Sequence, residues 1–369
     1  MATSEIVTQA PELKHIFDPD RIRHIADETL AVYPDFDRDR FVQLCLSGLD
    51  DLSLMQRLRR VSEALHATLP RDYRAALTIL RALAPRLNSG FVSIALPEFV
   101  ALYGADDVEA SLDALEFFTR FGSSEFAIRH FLRRDLDGTL AVMKQWSVHE
   151  NEHVRRLASE GCRPRLPWSF RLEPLMRDPS PVAEILENLK ADPSLYVRKS
   201  VANHLNDITK NNPDWVLDRL GGWPQDNPHT TWIVRHGLRS LIKEGDKRAL
   251  ALIGAGAKAD VEVRSFTVTP AAIHLGETID LALQIVSTSS KPQRLVIDYA
   301  IHYVKKSGTS SAKVFKLKAI TLGAGGTVTL TRAQRIRSFT TRVHYAGRHE
   351  VEIFVNGECL ARSAFALTV

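Results

Sequence analysis

Glu125, Glu160 and Trp168 are the residues whose types and surroundings best suit a chemical role. Both glutamates lie among arginines, where a negative charge would repel phosphate and therefore needs another purpose. A carboxylate there can stabilise a cation, either a positively charged base or an oxocarbenium-like sugar, and Trp168 can stack on a flat ring. Each also has a structural alternative: Glu125 as a helix cap, Glu160 as an exposed side chain, and Trp168 as a core anchor.

The sequence His149-Glu-Asn-Glu-His153 matches the H-E-x-x-H pattern of zinc metallopeptidases. That chemistry needs both histidines one turn apart on a single helix, with Glu150 as the base. Here Trp146-Ser-Val-His ends one predicted helix, and Asn151 is a good N-cap for the next. The two histidines then lie on either side of a turn, so we expect no metal site.

Basic side chains recur through the same region and indicate a nucleic-acid surface. If they line one groove, they would neutralise phosphates without regard to base sequence. The alternative for each is a solvated helix face or an ion pair with a neighbouring carboxylate. The group comprises Arg129, Arg133, Arg134, Arg155, Arg156, Arg163, Arg165, Arg198 and Lys199. Farther along, Asn203, His204 and Asp207 are candidates either for the groove lining or for helix caps.

Helical patterning positions these residues and dominates the chain to about residue 257. Predicted helices come in pairs, separated by Gly, Pro or Asn. In the second helices, Arg follows a β-branched residue at Arg129, Arg155, Arg198 and Arg235, and the last three of these lie 43 and 37 residues apart. A helix pair recurring at about 40 residues is typical of a HEAT-like α-solenoid, whose second helices line the concave face. This arrangement places Glu125 and Glu160 on second helices.

From Lys258 onward the pattern changes to short alternating stretches such as Val261-Glu-Val-Arg-Ser-Phe-Thr-Val. About seven such strands with Gly-containing turns over about 110 residues are typical of an immunoglobulin-like β-sandwich. Cys45, Cys162 and Cys359 are too few and too scattered for a disulfide framework. We therefore predict an all-α HEAT-like solenoid at residues 1–257 and an all-β immunoglobulin-like sandwich at residues 258–369.

Charge is distributed unevenly along the 369 residues, whose formal net charge is +4. Residues 1–119 carry 12 Lys and Arg against 19 Asp and Glu, whereas residues 260–369 carry 14 against eight. The middle and the tail are therefore better suited than the acidic front to bind an anion. Neither a membrane span nor a signal peptide is visible, so we expect a cytoplasmic protein, and we expect a monomer.

Three long stretches resemble the AlkC branch of the bacterial DNA alkylation-repair glycosylases, in the longer form with a C-terminal immunoglobulin-like domain. They are Phe121-Gly-Ser-Ser-Glu-Phe-Ala-Ile-Arg-His-Phe-Leu, Glu152-His-Val-Arg-Arg-Leu-Ala-Ser-Glu-Gly-Cys-Arg-Pro-Arg-Leu-Pro-Trp and Tyr196-Val-Arg-Lys-Ser-Val-Ala-Asn-His-Leu-Asn-Asp-Ile-Thr-Lys. The tail is similar too, through Ile301-His-Tyr-Val-Lys-Lys, Lys313-Val-Phe-Lys-Leu-Lys and Tyr345-Ala-Gly-Arg-His-Glu-Val-Glu-Ile. The likeness covers nearly the whole chain.

The resemblance implies HEAT-like repeats that cradle duplex DNA and remove cationic N3-alkylated bases such as 3-methyladenine and 3-methylcytosine, with no cofactor and no metal. It implies Glu125 and Glu160 as catalytic carboxylates, with Asp207 as a further acidic neighbour. Trp168 would border the lesion, and we expect Asn203 near it. The side chains expected to hold the DNA backbone are Arg129, Arg156, Arg163, Arg165 and Lys199, and in the tail Lys305, Lys306, Lys313 or Lys316.

The alternative from another class is a non-catalytic scaffold for nucleic acid or protein, because solenoids and immunoglobulin-like domains both commonly bind partners. The discriminating feature is the convergence of Glu125, Glu160 and Trp168. A scaffold has no reason to bring two carboxylates and an aromatic ring together in a basic groove.

Overall fold

The computed structural model describes residues 13–338 and 343–369 and divides the chain into two compact units, residues 1–212 and residues 213–369. Unit 1 contains α1 (Pro19–Val32), α2 (Arg38–Leu46), α3 (Leu54–Thr68), α4 (Tyr73–Leu83), α5 (Ala95–Tyr103), α6 (Val108–Phe118), α7 (Ile128–Arg134), α8 (Leu136–Trp146), α9 (Glu152–Glu160), α10 (Glu173–Arg177), α11 (Ala183–Asn188) and α12 (Leu195–Ile208). Short 3-10 turns occur at Leu13–Phe17, Leu49–Asp51, Ala84–Arg86, Val92–Ile94 and Ser180–Val182. Within the described residues, no helix is both long and apolar enough to cross a membrane.

Polar caps set where these helices begin. Asp135 both ends α7 and caps α8, because its side chain accepts from the Gly138 N–H at 3.0 Å. Asn151 caps α9 in the same way, accepting from the His153 N–H at 2.9 Å. Each such cap satisfies a backbone donor that the helix itself leaves open, and contributes on the order of 1 kcal/mol.

Among its described residues, unit 2 combines four helices with eight strands. The helices are α13 (Pro213–Gly221), α14 (Pro228–Gly237), α15 (Arg239–Glu244) and α16 (Lys247–Leu252). The strands are β1 (Val261–Thr269), β2 (Ala272–His274), β3 (Thr278–Ser287), β4 (Gln293–Val304), β5 (Ser310–Leu322), β6 (Thr327–Arg335), β7 (Gly347–Val355) and β8 (Glu358–Thr368). They form one sheet in the order β1-β3-β6 and a second in the order β2-β8-β7-β4-β5.

The sandwich core comes from the inward residues of both sheets, among them Ile285 and Ile297, which are fully buried. All strand pairs are antiparallel except β2 with β8. Between the helices and β4, a separate small cluster forms around Leu250. There Gly245 and Gly357 approach so closely that a Cβ on Gly357 would lie 2.9 Å from the Gly245 Cα, and both have positive φ. A side chain at Gly357 would force the two segments apart, and one at either position would strain the backbone because of the positive φ.

The predicted order of a helical repeat region followed by an immunoglobulin-like sandwich is confirmed. The strand pattern begins at Val261, close to the predicted position, but packing assigns α13–α16 to the same unit as the strands. The domain boundary at residues 257 and 258 stays a prediction. The sequence patterns missed α10, α16, β2 and β8.

Candidate active site

Helix α9 and the loop that follows it position the central residues of the site. Val154, Leu157 and Ala158 are buried at helical spacing, which fixes the rotation of α9 against α12. Glu160 is the last residue of α9. A carboxylate at a helix C-terminus is unfavourable because the backbone carbonyls already make that end negative. Its position therefore requires cations close by.

Two arginines supply those cations and link three carboxylates into one chain of ion pairs. Arg156 Nη2 lies 2.6 Å from Glu125 Oε2 and 3.7 Å from Glu160 Oε1. Arg163 Nη1 donates to Glu160 Oε1 at 2.6 Å, and Arg163 Nε donates to Asp207 Oδ2 at 2.8 Å. Side-chain exposures run from 7% for Glu160 to 15% for Arg156, so the chain is largely shielded from water.

Burial and ion pairing shift the pKa of each of the two guanidinium groups in opposite directions. Burial by itself lowers the pKa of Arg156, but the charges of Glu125 and Glu160 outweigh it, so the pKa lies above its ordinary value. For Arg163, burial again lowers the pKa, and Glu160 and Asp207 together raise it further than burial lowers it. Both arginines are therefore charged, and their charge-assisted hydrogen bonds hold the carboxylates in fixed positions.

A cleft of about 290 Å³ opens onto this cluster. Its charged lining consists of Glu125, Glu160 and Arg163, so two carboxylates face one guanidinium. The cleft is otherwise apolar, with walls formed by Phe91, Ile94, Phe126, Leu166, Pro167 and Trp168. A shaped apolar recess with a negative floor suits a flat cationic group better than an anion.

Trp168 forms an exposed edge of that cleft. Its side chain is 65% exposed, which rules out the core-anchor alternative, and its ring meets Phe91 edge-on with centroids 6.5 Å apart. Its φ of 65° lies in the left-handed region, which is strained for a large side chain. The surrounding loop must hold that conformation in place.

Arg129 holds the loop, and this corrects its predicted role as a DNA contact. Its side chain is fully buried, so it is not available to a phosphate. Its guanidinium donates to the Gly161 carbonyl at 2.9 Å, to the Arg163 carbonyl at 2.7 Å, and to the Phe170 carbonyl. It thereby fixes both ends of the loop that carries Trp168. Burial lowers the pKa of Arg129 to about 10, and the neighbouring Arg163 also lowers it.

Two of the other arginines that recur in register, Arg155 and Arg198, have the same structural use. Arg155 donates to the Asp192 carboxylate and to the carbonyls of His149 and Glu150. Arg198 donates to the carbonyls of Asp192 and Pro193. These guanidinium groups fasten loops to neighbouring helices, so the recurrence does not produce the basic stripe that the spacing indicated.

Glu125 lies in the turn before α7, not on a second helix as predicted. Ser123 Oγ donates to Glu125 Oε2 at 2.9 Å, and Glu125 lines the cleft. The N-cap position of α7 is Ala127, which excludes the helix-cap alternative for Glu125. The predicted catalytic residues Glu125, Glu160 and Asp207 are thus brought into one cluster. Their catalytic role itself stays a prediction.

The other predicted contact residues are spread around this cluster and in unit 2. Arg165 Nη2 donates to Asn211 Oδ1 at 2.8 Å, Lys199 is exposed, and Asn203 is half-buried on α12. Lys305, Lys306, Lys313 and Lys316 are exposed residues of unit 2. Arg156 and Arg163 lie inside the ion-pair chain, and their contact with the DNA backbone stays a prediction.

The two histidines of the H-E-x-x-H match lie on either side of a turn, as predicted, because α8 ends at Trp146 and α9 begins at Glu152. His149 Nδ1 accepts from the Asn151 N–H at 2.9 Å, and the His153 ring contacts Tyr196 edge-on. In the part of the chain that the structure describes, no group of three or more possible protein ligands is placed to hold a metal ion.

Sequence reasoning missed the aromatic walls of the cleft, above all Phe91 and Phe126. Phe126 follows Glu125 directly in the sequence, so its place near the site could have been predicted. Phe91 follows a Pro/Gly/Ser break and lies more than 30 residues before Glu125. No spacing rule connects it to Trp168.

The chain is 60% identical to Pseudomonas fluorescens alkylpurine DNA glycosylase AlkC, solved bound to DNA containing an abasic site analog; the match covers 97% of this chain and 100% of that chain with a TM-score of 0.95. It is 43% identical to YhaZ of Bacillus subtilis (strain 168) over 348 residues, 94% of this chain and 97% of that protein. Residues 117–241 match the family described as DNA alkylation repair enzyme, and residues 262–369 match the C-terminal Ig-like domain of YhaZ. The chain therefore belongs to the AlkC branch of the DNA alkylation repair enzyme family, in the form with a C-terminal immunoglobulin-like domain.

Proposed function

We propose that the protein is a DNA glycosylase that excises cationic N3-alkylated bases, 3-methyladenine and 3-methylcytosine, from duplex DNA by hydrolysis of the N-glycosidic bond. The observation that carries the proposal is the cleft in which Glu125 and Glu160 face an apolar recess edged by Trp168. Support also comes from the 60% identity to a glycosylase solved on DNA with an abasic site analog, which stands for the sugar left after base release.

Removal of a cationic base needs no general acid, but it does need a fixed negative charge near the sugar. An N3-alkylated base already carries a positive charge, so it can leave without being protonated. The sugar then develops oxocarbenium character, which a fixed carboxylate stabilises. Glu125 and Glu160 supply that charge at the cleft floor, and one of them positions the attacking water. Asp207 acts behind them by fixing Arg163, which in turn fixes Glu160.

The remaining residues bind the DNA. Trp168, exposed and held rigidly by its loop, stacks beside the lesion, and Asn203 on α12 lies near it. Arg165 and Lys199 in unit 1, with Lys305, Lys306 and Lys316 in unit 2, contact backbone phosphates. Such contacts are independent of base sequence, as a repair enzyme that must search undamaged DNA requires.

Replacing Glu125 or Glu160 by Gln tests the proposal. Either variant keeps the size of the side chain and one acceptor oxygen but removes its negative charge. We expect single-turnover release of 3-methyladenine to fall by about 100-fold or more in each, while affinity for undamaged duplex stays within about threefold, because neither residue neutralises a phosphate.

Glu109→Gln is the matched control, because Glu109 is an exposed carboxylate in the first turn of α6 and does not line the cleft. It should release base at the rate of the unmodified protein. Melting temperatures of all variants separate loss of chemistry from loss of fold. If both Glu125→Gln and Glu160→Gln release base at the unmodified rate, the assignment of these carboxylates is wrong.

A further inference from the structure

A second cavity, of about 70 Å³, lies within unit 2 between α14–α15 and the strands β4 and β5. Its lining is strongly basic. Five of the residues that line it are cationic: Arg235, Arg239, Lys243, Arg294 and Lys316. Arg235 lies on α14, whereas Arg239 and Lys243 lie four residues apart on α15, and all three line the same cavity, where like charges repel. The remaining lining residues are one acid and four apolar residues.

Carboxylates do not neutralise four of these five cations as they do cations elsewhere in the described residues. In unit 1, Arg59, Arg155 and Arg163 each have a carboxylate oxygen within 3 Å. In the described part of the chain, Arg235, Lys243, Arg294 and Lys316 have no carboxylate within 4.0 Å. Moreover, Arg294 Nε is buried and has no hydrogen-bond partner. A buried charged donor without an acceptor is costly, and an anion in the cavity would remove that cost.

Asp298 is the single acid among the described residues that line the cavity, and its side chain is almost fully buried on β4. Burial raises the pKa of Asp298 to about 6, although Lys316 and Lys243 oppose that shift. Against the four cations Arg235, Lys243, Arg294 and Lys316, one carboxylate leaves the cavity positive whether it is ionised or protonated.

We propose that this cavity is a phosphate-binding site. Its volume admits one group of a few heavy atoms, which fits a tetrahedral oxyanion but not a nucleobase or sugar. Arginine and lysine together are the side chains that bind phosphate oxygens most strongly. The phosphate comes either from a small molecule or from the backbone of DNA.

Inorganic phosphate is the first probe, added to the full chain at constant ionic strength with chloride as the reference. We expect phosphate to bind by calorimetry and to raise the melting temperature more than chloride does. Arg294→Gln and Lys243→Gln, from a strand and from a helix, should each weaken binding about tenfold or more. Lys291→Gln, an exposed charge outside the cavity, should bind normally. The proposal fails if phosphate acts no differently from chloride, or if both cavity variants bind it normally.

The pH dependence of anion binding by Asp298→Asn gives a second test, because a residue with only a structural role would not alter that dependence. Lys316 and Lys243 are the cations whose charges act on Asp298. His236 on α14 lies near Arg235, Arg239 and Lys316 and is itself titratable, so the protein is compared with and without Asp298→Asn in a His236→Gln background. With sulfate as a non-titrating probe, binding by the protein that retains Asp298 should weaken as pH rises from 5 to 7 and Asp298 becomes negative. The Asn variant should bind equally well across that range. The same pH dependence in both proteins would contradict the assignment of Asp298 to the site.

Binding of undamaged duplex DNA at several salt concentrations identifies the source of the phosphate. This experiment rests on the proposed function. If the phosphate belongs to DNA, Arg294→Gln should lower the slope of log affinity against log salt by about 1. An unchanged slope, with inorganic phosphate binding lost, assigns the site to a free phosphate compound. Phosphate binding needs no DNA, so failure of the glycosylase proposal would leave this result standing.

Discussion

Glu160 and Trp168 are both held in conformations that the chain would otherwise avoid. Glu160 ends a helix where negative charge is unfavourable, and Arg156 and Arg163 compensate for it. Trp168 has a positive φ, and Arg129 fixes the carbonyls on both sides of its loop. Strain of this kind persists only where the surroundings impose it, and it commonly accompanies function.

Trp168→Ala tests whether the exposed ring is used for binding. Loss of one base-to-aromatic stack costs about 1–3 kcal/mol, so release of 3-methyladenine at limiting enzyme should fall about 5-fold to 150-fold. The melting temperature should change little, because the ring is 65% exposed. Val148→Ala removes another exposed apolar side chain and serves as the control. Normal base release by Trp168→Ala would remove Trp168 from the site.

At the scale of elements, the packing of α9 against α12 sets the distance between Glu160 and Asp207. His204 on α12 is fully buried in this region, and burial lowers its pKa to about 3, with the charge of Arg163 lowering it further. In the folded state His204 is therefore neutral over most of the acid range. In the unfolded chain it gains a proton near pH 6.5.

This difference makes the stability of the helical unit depend on pH. Because the unfolded state binds the proton first, the contribution of His204 is complete above about pH 6.5 and is lost as pH falls toward 3. We expect His204→Met to reduce the slope of unfolding free energy against pH by up to about 1.4 kcal/mol per unit between pH 6 and 4. Urea unfolding at several pH values measures it; carboxylates titrate in both proteins and cancel. Parallel slopes would show that His204 gains its proton while folded.

Elements with strong local signals were predictable from the sequence. The Asn151 cap predicts that α9 begins at Glu152, where the structure has it, and the same cap separates the two histidines of the H-E-x-x-H match. The strand β8 was missed because Glu358–Thr368 alternates weakly, with Arg362 and Ser363 at positions that only pairing with β7 explains.

The roles of the arginines were not predictable, because their partners are distant in the sequence. Arg129 reads as a surface cation in a helical pattern, yet its acceptors are carbonyls 32 to 41 residues away. Likewise, the pairing of Arg163 with Asp207 spans 44 residues. Periodicity reports which face of a helix is apolar, but not which loop lies beneath a given guanidinium.

At the scale of the whole molecule, the two units carry different parts of the proposed activity. Unit 1 holds the carboxylate cluster and its cleft, and unit 2 holds the basic cavity and the exposed lysines Lys305 and Lys306. The match to AlkC extends over both, with 97% of this chain covered. The account therefore predicts an activity of the full chain, and it is tested with the full chain.

Release of free base from duplex DNA containing 3-methyladenine, followed by chromatography in the presence of a chelator, tests the central claim most directly. The account predicts release by the full-length protein that survives the chelator and falls about 100-fold or more in Glu160→Gln. Tight binding of the duplex without release would contradict it and favour a non-catalytic scaffold. Release abolished by the chelator would contradict it differently and direct attention back to His149 and His153.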